Sequence, residues 1–136
     1  MRYLIIALSV LVLAACGETI MLTKPEGETV AKGMLKFRSS PPHRLTVTLD
    51  GKSYEGDVDS HEVDDSAELR KRYGAYSKHY QAIFLGFNTT HHVHHYTGIL
   101  KAPDGATLTC GYLSSVGGTL GTCEDGKGQI YEVRKQ

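Results

Sequence analysis

Short turn signals recur through the chain and leave room mainly for strands between them. The dipeptide Asp-Gly, the strongest local signal of a β-hairpin turn, occurs at Asp50-Gly51, Asp104-Gly105 and Asp125-Gly126. Before the first of these turns, the segment 45–49 alternates apolar and polar residues, which is the pattern of a strand with one buried face. We expect antiparallel pairing, because tight hairpin turns join antiparallel neighbours.

The same reasoning predicts about eight strands. One of them, 82–87, is apolar without alternation, which is typical of a central strand covered on both faces. The predicted fold is therefore mostly β: a small antiparallel β-sandwich or barrel of about eight strands with one short helix. The predicted strands are 34–37, 45–49, 53–58, 82–87, 94–102, 106–113, 118–124 and 129–134.

The helix is expected at 67–73. Asp65 and Glu68 have the spacing of a capping pair at a helix start, and Gly74 is expected to end the helix. Tyr73, Tyr76 and Tyr80 continue at helical spacing. Such a stripe forms either the buried edge of a core or an exposed aromatic platform for a glycan or protein partner, and the sequence leaves both open.

The N-terminus has the features of an export signal. Arg2 precedes an apolar stretch, 4–15, that ends in small residues. Its 12 residues are too few for a transmembrane helix, which needs about 20. The segment Leu13-Ala14-Ala15-Cys16 resembles the lipobox of bacterial lipoproteins.

That resemblance implies removal of residues 1–15, diacylation of the Cys16 thiol and acylation of its freed amine. Two or three acyl chains anchor a protein stably in the lipid bilayer. Gly17 stands where the family's inner-membrane retention signal has Asp, so the resemblance implies the outer membrane, with the periplasmic face favoured. An ordinary signal peptide followed by an incidental cysteine is the alternative.

Removing 15 of the 136 residues leaves 121, enough for one domain. We expect 16–29, which is polar and contains Pro25 and Gly27, to be the lipidated N-terminus and a flexible tether, followed by a single β-rich domain at 30–136. Of 15 Lys and Arg residues only Arg2 is lost, which leaves 14 against 15 Asp and Glu. This balance argues against nucleic acid as a partner and leaves attachment to lipid to the acyl chains.

Two cysteines remain besides Cys16, and an exported pair is typical of a disulfide. A hairpin centred between Val116 and Gly117 places Cys110 opposite Cys123, with Cβ atoms about 4.5–5.5 Å apart. A catalytic thiol is the alternative, but neither cysteine belongs to a Cys-x-x-Cys motif. The spacing therefore favours a structural disulfide.

Four of the seven histidines fall within five residues: His91, His92, His94 and His95. On an extended strand His92 and His94 share one face, and the other two share the opposite face. A His-x-His pair can chelate zinc or copper, with further ligands needed from elsewhere, for which His43 and His79 are candidates. The alternatives are a His-rich turn without a metal and a pH response.

No catalytic residues are expected, because the sequence contains no G-x-S-x-G, H-E-x-x-H, P-loop or Rossmann motif. The stretch 108–131, with its paired cysteines and Asp-Gly turn, resembles small envelope lipoproteins that end in a cysteine-paired β-hairpin. The chain also resembles lipoprotein lysozyme inhibitors in size and strand content but lacks their Ser-Gly-x-x-Tyr motif. These resemblances imply a fold type and an envelope location.

The sequence therefore favours a membrane-anchored, non-enzymatic binding or assembly module with an envelope protein partner. A transition-metal-binding envelope protein that uses His91–His95 is the first alternative. An inhibitor of an external factor such as a lysozyme is the second.

Overall fold

Eight antiparallel strands, in chain order, close into a barrel in the computed structural model, which describes residues 17–74, 78–84 and 92–135. Each strand pairs with the next, and β1 pairs with β8 to complete the ring. The strands are β1 Gly17–Thr23, β2 Thr29–Lys36, β3 His43–Leu49, β4 Lys52–Val63, β5 Val93–Lys101, β6 Thr107–Ser115, β7 Gly118–Asp125 and β8 Ile130–Lys135; the helices α1 Ala67–Tyr73 and α2 Lys78–Phe84 lie between β4 and β5. The barrel alternative of the predicted fold class is thus confirmed.

Four short turns close one end of the barrel, which we call the turn end. Asp50 and Gly51 both have positive φ, 51° and 73°, as a two-residue type I′ turn requires. The other three turns are three-residue loops, each with a positive-φ glycine in its third position: Gly27, Gly105 and Gly128. The three Asp-Gly hairpins predicted from the sequence are therefore present.

The opposite end, which we call the mouth, carries the connections β2–β3, β4–β5 and β6–β7. The β4–β5 connection includes both helices. The mouth also carries the beginning of β1 at Gly17 and the end of β8 at Lys135. Because neighbouring strands alternate in direction, these features all gather at one end of the barrel.

The barrel interior is filled with side chains rather than open. Cys110 and Cys123 lie directly opposite each other in the β6–β7 ladder and form a disulfide, with Cα atoms 4.0 Å apart. Both are buried in the core, which confirms the predicted structural role. Closing a loop of this length stabilises the fold by about 3 kcal/mol in the chain-entropy model. The other large side chains fully buried inside the barrel include Ile20, Leu22, Leu35, Leu45, Val47, Val58, Leu100, Leu108, Tyr112 and Val133.

A second, smaller core lies between the outside of the barrel and the two helices. Leu69 of α1 and Tyr80 and Ile83 of α2 pack on Val93 of β5 and Leu113 of β6. Tyr80 is buried, so it belongs to the edge of a core rather than to an exposed platform. Tyr73 packs against the same cluster, whereas Tyr76 lies outside the described residues.

The expected tether was wrong for the residues that follow Cys16. Gly17–Thr23 forms β1, and 24–28 is the turn into β2. Ile20 and Leu22 point into the barrel and are fully buried, while Met21 between them is half-buried. The folded domain therefore begins at Gly17 rather than at 30. Cys16 and the predicted signal segment 1–15 lie outside the described residues.

The predicted strand at 82–87 was also wrong where the structure describes it. Residues 82–84 belong to α2, and 85–87 lie outside the described part of the chain. An apolar run has two ways to become buried, and here Ile83 packs on the outside of the sheet instead of forming part of it. The eighth strand is β1, and the described helices number two rather than one.

The helix α1 has the predicted extent but a different cap. Ser66, not Asp65, is the N-cap residue, and its hydroxyl accepts the Leu69 N–H at 3.2 Å. Asp65 instead accepts hydrogen bonds from Arg70 at 2.9 Å and from the Tyr80 hydroxyl at 2.5 Å. Gly74 ends the helix as predicted, with φ 80°.

Gly121 makes room for the largest buried side chain. It lies directly opposite Tyr112, and a Cβ atom here would overlap the Gly111 carbonyl and the Cα and Cβ of Tyr112. We predict that Gly121→Ala lowers the free energy of unfolding by about 1–3 kcal/mol, as overpacking of a close-packed core does. Urea denaturation followed by circular dichroism measures this.

The matched control is Gly126→Ala, because the nearest atom to an added Cβ there, Thr107 Oγ1, is 3.8 Å away. The free energy of unfolding of this variant is expected to lie within about 0.5 kcal/mol of that of the wild type. Equal stability of the two variants would contradict the packing assigned to Tyr112.

Candidate functional site at the barrel mouth

A cleft with a volume of about 370 Å³ opens at the mouth. This volume is within the usual range for a small-molecule site, although the cleft is shallow and open to solvent. Strands from most of the barrel contribute to it, together with the loops after β2 and β6. Its lining consists of Glu18, Phe37, His43, Ser60, His92, His94, Tyr96, Ser114, Ser115, Val116 and Lys135.

Polar side chains occupy the last inward-facing positions of the strands. Glu18 of β1 lies two residues before the buried Ile20, and its side chain is only 17 % exposed. It accepts a hydrogen bond from the Ser114 hydroxyl at 3.3 Å, and Ser114 also hydrogen-bonds to Thr119 at 3.2 Å. Lys135 Nζ lies 3.7 Å from the Glu18 carboxylate and balances its charge.

His43 forms another wall of the cleft and is held in its neutral form. Its Nδ1 accepts the backbone N–H of Arg38 at 3.0 Å, so the proton of the neutral ring is on Nε2. Phe37 packs edge-on against the ring at 5.4 Å between centroids. Burial lowers the pKa of His43, and the positive charges of Arg38 and His94 lower it further.

Tyr96 lines the cleft and stacks on Tyr112, which is buried in the barrel core. The rings of Tyr96 and Tyr112 lie 5.1 Å apart at 26°. Burial raises the pKa of both phenols, and the nearby Glu18 carboxylate adds to this effect. The Tyr112 hydroxyl is buried and has no hydrogen-bond partner among the described residues. Buried polar groups without partners are uncommon and destabilising.

The structure divides the histidine cluster between two faces. His92 and His94 both line the cleft, as predicted for alternate residues of a strand. His95 faces the other way, where its Nε2 lies 2.7 Å from the Tyr73 hydroxyl. His91 lies outside the described residues. His95 therefore cannot join His92 and His94 around one ion.

The two further histidines proposed as ligands also separate. His43 lines the same cleft as His92 and His94, whereas His79 lies exposed on α2 and is not part of the lining. His92 is largely exposed, and its Nδ1 lies 2.5 Å from a carboxylate oxygen of Glu62. Within 17–74, 78–84 and 92–135, no group of three or more His, Cys, Asp or Glu side chains is arranged to hold a metal ion.

Sequence reasoning missed the polar inward residues Glu18, Ser114 and Lys135. The signal was present: Glu18 continues the two-residue period of Ile20 and Leu22, and Ser114 continues that of Cys110 and Tyr112. This two-residue period could be recognised only once the bounds of β1 and β6 were known. Together these side chains give the mouth hydrogen-bond donors, acceptors and one compensated ion pair, which suits contact with a polar surface.

Comparison with models of known protein families, with curated protein sequences and with solved structures gives no match. In the described part of the chain, neither helix has the length and apolar character needed to cross a membrane.

The lowered histidine pKa values predict a loss of stability in mild acid. Burial lowers the pKa of His95 as well as that of His43. The unfolded chain takes up protons near pH 6.5, whereas the folded barrel takes them up only at lower pH. We therefore expect the free energy of unfolding to fall between pH 7.5 and 5.5. Urea denaturation at the two pH values measures this.

His43→Asn should reduce this pH dependence, because an amide oxygen can accept the Arg38 N–H without titrating. His79→Asn, a change at an exposed histidine of α2, should leave the pH dependence as in the wild type. If His43→Asn keeps the full pH dependence, His43 is not its source. Carboxyl groups such as Glu62, whose pKa is lowered by its bond to His92, titrate below this pH window.

Proposed function

We propose that the protein is a lipid-anchored, non-enzymatic binding or assembly module of the outer membrane, and that the barrel mouth is its binding surface. The observation that carries this proposal is that the polar cleft and the beginning of β1 lie at the same end of the barrel. The lipobox-like segment ends at Cys16, so the proposed anchor is next to the proposed site.

The filled interior supports a surface-binding role. Barrels that carry a ligand inside keep an internal cavity, whereas here tightly packed side chains such as Tyr112 and Leu100 occupy the space. Polar inward-facing groups become accessible at the mouth, where Glu18, His94 and Lys135 line the cleft. A rigid platform with one polar end is therefore the role that fits best.

Metal binding through all four clustered histidines fits the geometry less well. His92 and His94 share the cleft with His43, but His95 is directed away from them toward Tyr73. A zinc or copper site would therefore have to use His92 and His94 without His95. No contact in the described residues favours an inhibitor role.

The proposed anchor gives a direct test. In the membrane fraction of cells that produce the full chain, mass spectrometry should find a mature N-terminus at Cys16 that carries acyl chains. Cys16→Ala should remove this modification and release the protein from the membrane. A wild-type mature chain that begins elsewhere, or that carries an unmodified Cys16, would contradict the proposal.

The matched control replaces the other two cysteines. A Cys110→Ala, Cys123→Ala variant should lose the disulfide but keep the acylated N-terminus, since both residues lie in the barrel core away from the mouth. Loss of acylation in this variant would show that the modification does not depend on Cys16 alone.

A further inference from the structure

We propose that the barrel mouth rests directly on the lipid bilayer, with Val116 and Phe37 inserted beside the anchor. This inference rests on the proposed function, because it assumes that Cys16 carries the acyl chains. It names the partner of the mouth: the headgroup layer of the membrane in which the protein is anchored.

No spacer separates the proposed anchor at Cys16 from the first strand of the barrel. β1 begins at Gly17, which pairs with Lys36 at the end of β2. One extended residue spans about 3.3–3.6 Å, whereas a headgroup layer is about 5–7 Å thick. An acylated Cys16 therefore holds the rim of the mouth within or against the headgroups, and the barrel cannot move away from the bilayer without breaking β1 pairing.

Two exposed apolar side chains lie at this rim. Val116 forms the tip of the β6–β7 hairpin and, at 82 % exposed, is the most exposed large hydrophobic residue in the described part of the chain. Polar residues or glycine are usual at such a tip. Phe37, which directly follows β2, is 37 % exposed. Both side chains would lose contact with water on entering the membrane interface, which is favourable.

The order of the strands places these features on one arc of the rim. The run β6–β7–β8–β1–β2 is contiguous, with Val116 at one end, Phe37 at the other and Gly17 between them. The cations Lys36, Arg38 and Lys135 lie on the same arc, where side chains at headgroup level can meet lipid phosphates. Glu62, near the end of β4, and Asp64 and Asp65 after it lie on the opposite arc. Glu18 of β1 lies on the anchored arc, where Lys135 balances its charge. The anchored arc therefore combines exposed apolar side chains with more cations than carboxylates, which suits a lipid surface.

The absence of tryptophan from the chain makes a single introduced tryptophan an unambiguous reporter. V116W and F37W place it on the proposed arc. I130W places it at the turn end, where Ile130 is 45 % exposed and begins β8. Each acylated full-length mature protein is reconstituted into vesicles of phosphatidylethanolamine and phosphatidylglycerol, with and without brominated acyl chains that quench tryptophan on contact.

We expect V116W and F37W to shift their emission to shorter wavelength and to lose most of it in brominated vesicles, while I130W keeps its emission. Flotation of the same samples reports whether the protein is anchored. Anchored protein in which the rim reporters stay unquenched, or in which I130W is quenched as strongly, would overturn the inference and leave the proposed function standing. Protein that does not float with the vesicles would overturn both.

Discussion

The pairing of β1 with β8 is the interaction on which the rest of the structure depends. Four residue pairs, from Ile20 with Lys135 to Thr23 with Glu132, join the two ends of the chain. Without them β1 and β8 would be exposed edges, and open edges are prone to pair with other chains. Closure also completes the interior, because Ile20 and Leu22 fill part of the core around the disulfide. β1, which the sequence predicted to be part of a flexible tether, is thus the strand that closes the barrel.

Closure of the barrel determines which side chains and chain ends lie at each of its two ends. An eight-stranded meander places the beginning of β1 and the end of β8 at the same end, together with the long β4–β5 connection. The opposite end is closed by four short turns, and the cleft of about 480 Å³ there is lined by residues of those turns and of the strand ends beside them. Polar inward residues collect at the mouth, where Glu18 is balanced by Lys135 and satisfied by Ser114. The position proposed for lipidation is adjacent to this site, so anchoring and binding occur at one end of the molecule.

Local signals were enough to predict most of the barrel. The hairpin that pairs Cys110 with Cys123 follows from counting residues around a glycine-rich turn, and the separation of His94 from His95 follows from the two-residue period of a strand. β1 was missed although Pro25-Glu26-Gly27 repeats the turn pattern of Pro103-Asp104-Gly105. The contact of His95 with Tyr73 could not be predicted, since it depends on how α1 packs on the sheet. For the same reason the apolar residues 82–84 could be assigned to a strand or a helix.

Amide hydrogen exchange of β1 shows whether the chain becomes part of the barrel immediately after Cys16. Over 20–23, β1 pairs with strands on both sides, so these amides should exchange as slowly as those of the core strands β3 and β6. We expect this protection in the acylated protein on membranes and also in a soluble domain that begins at Gly17. Rapid exchange of 18–23, comparable to that of an unstructured segment, would contradict it and restore a flexible tether between lipid and domain.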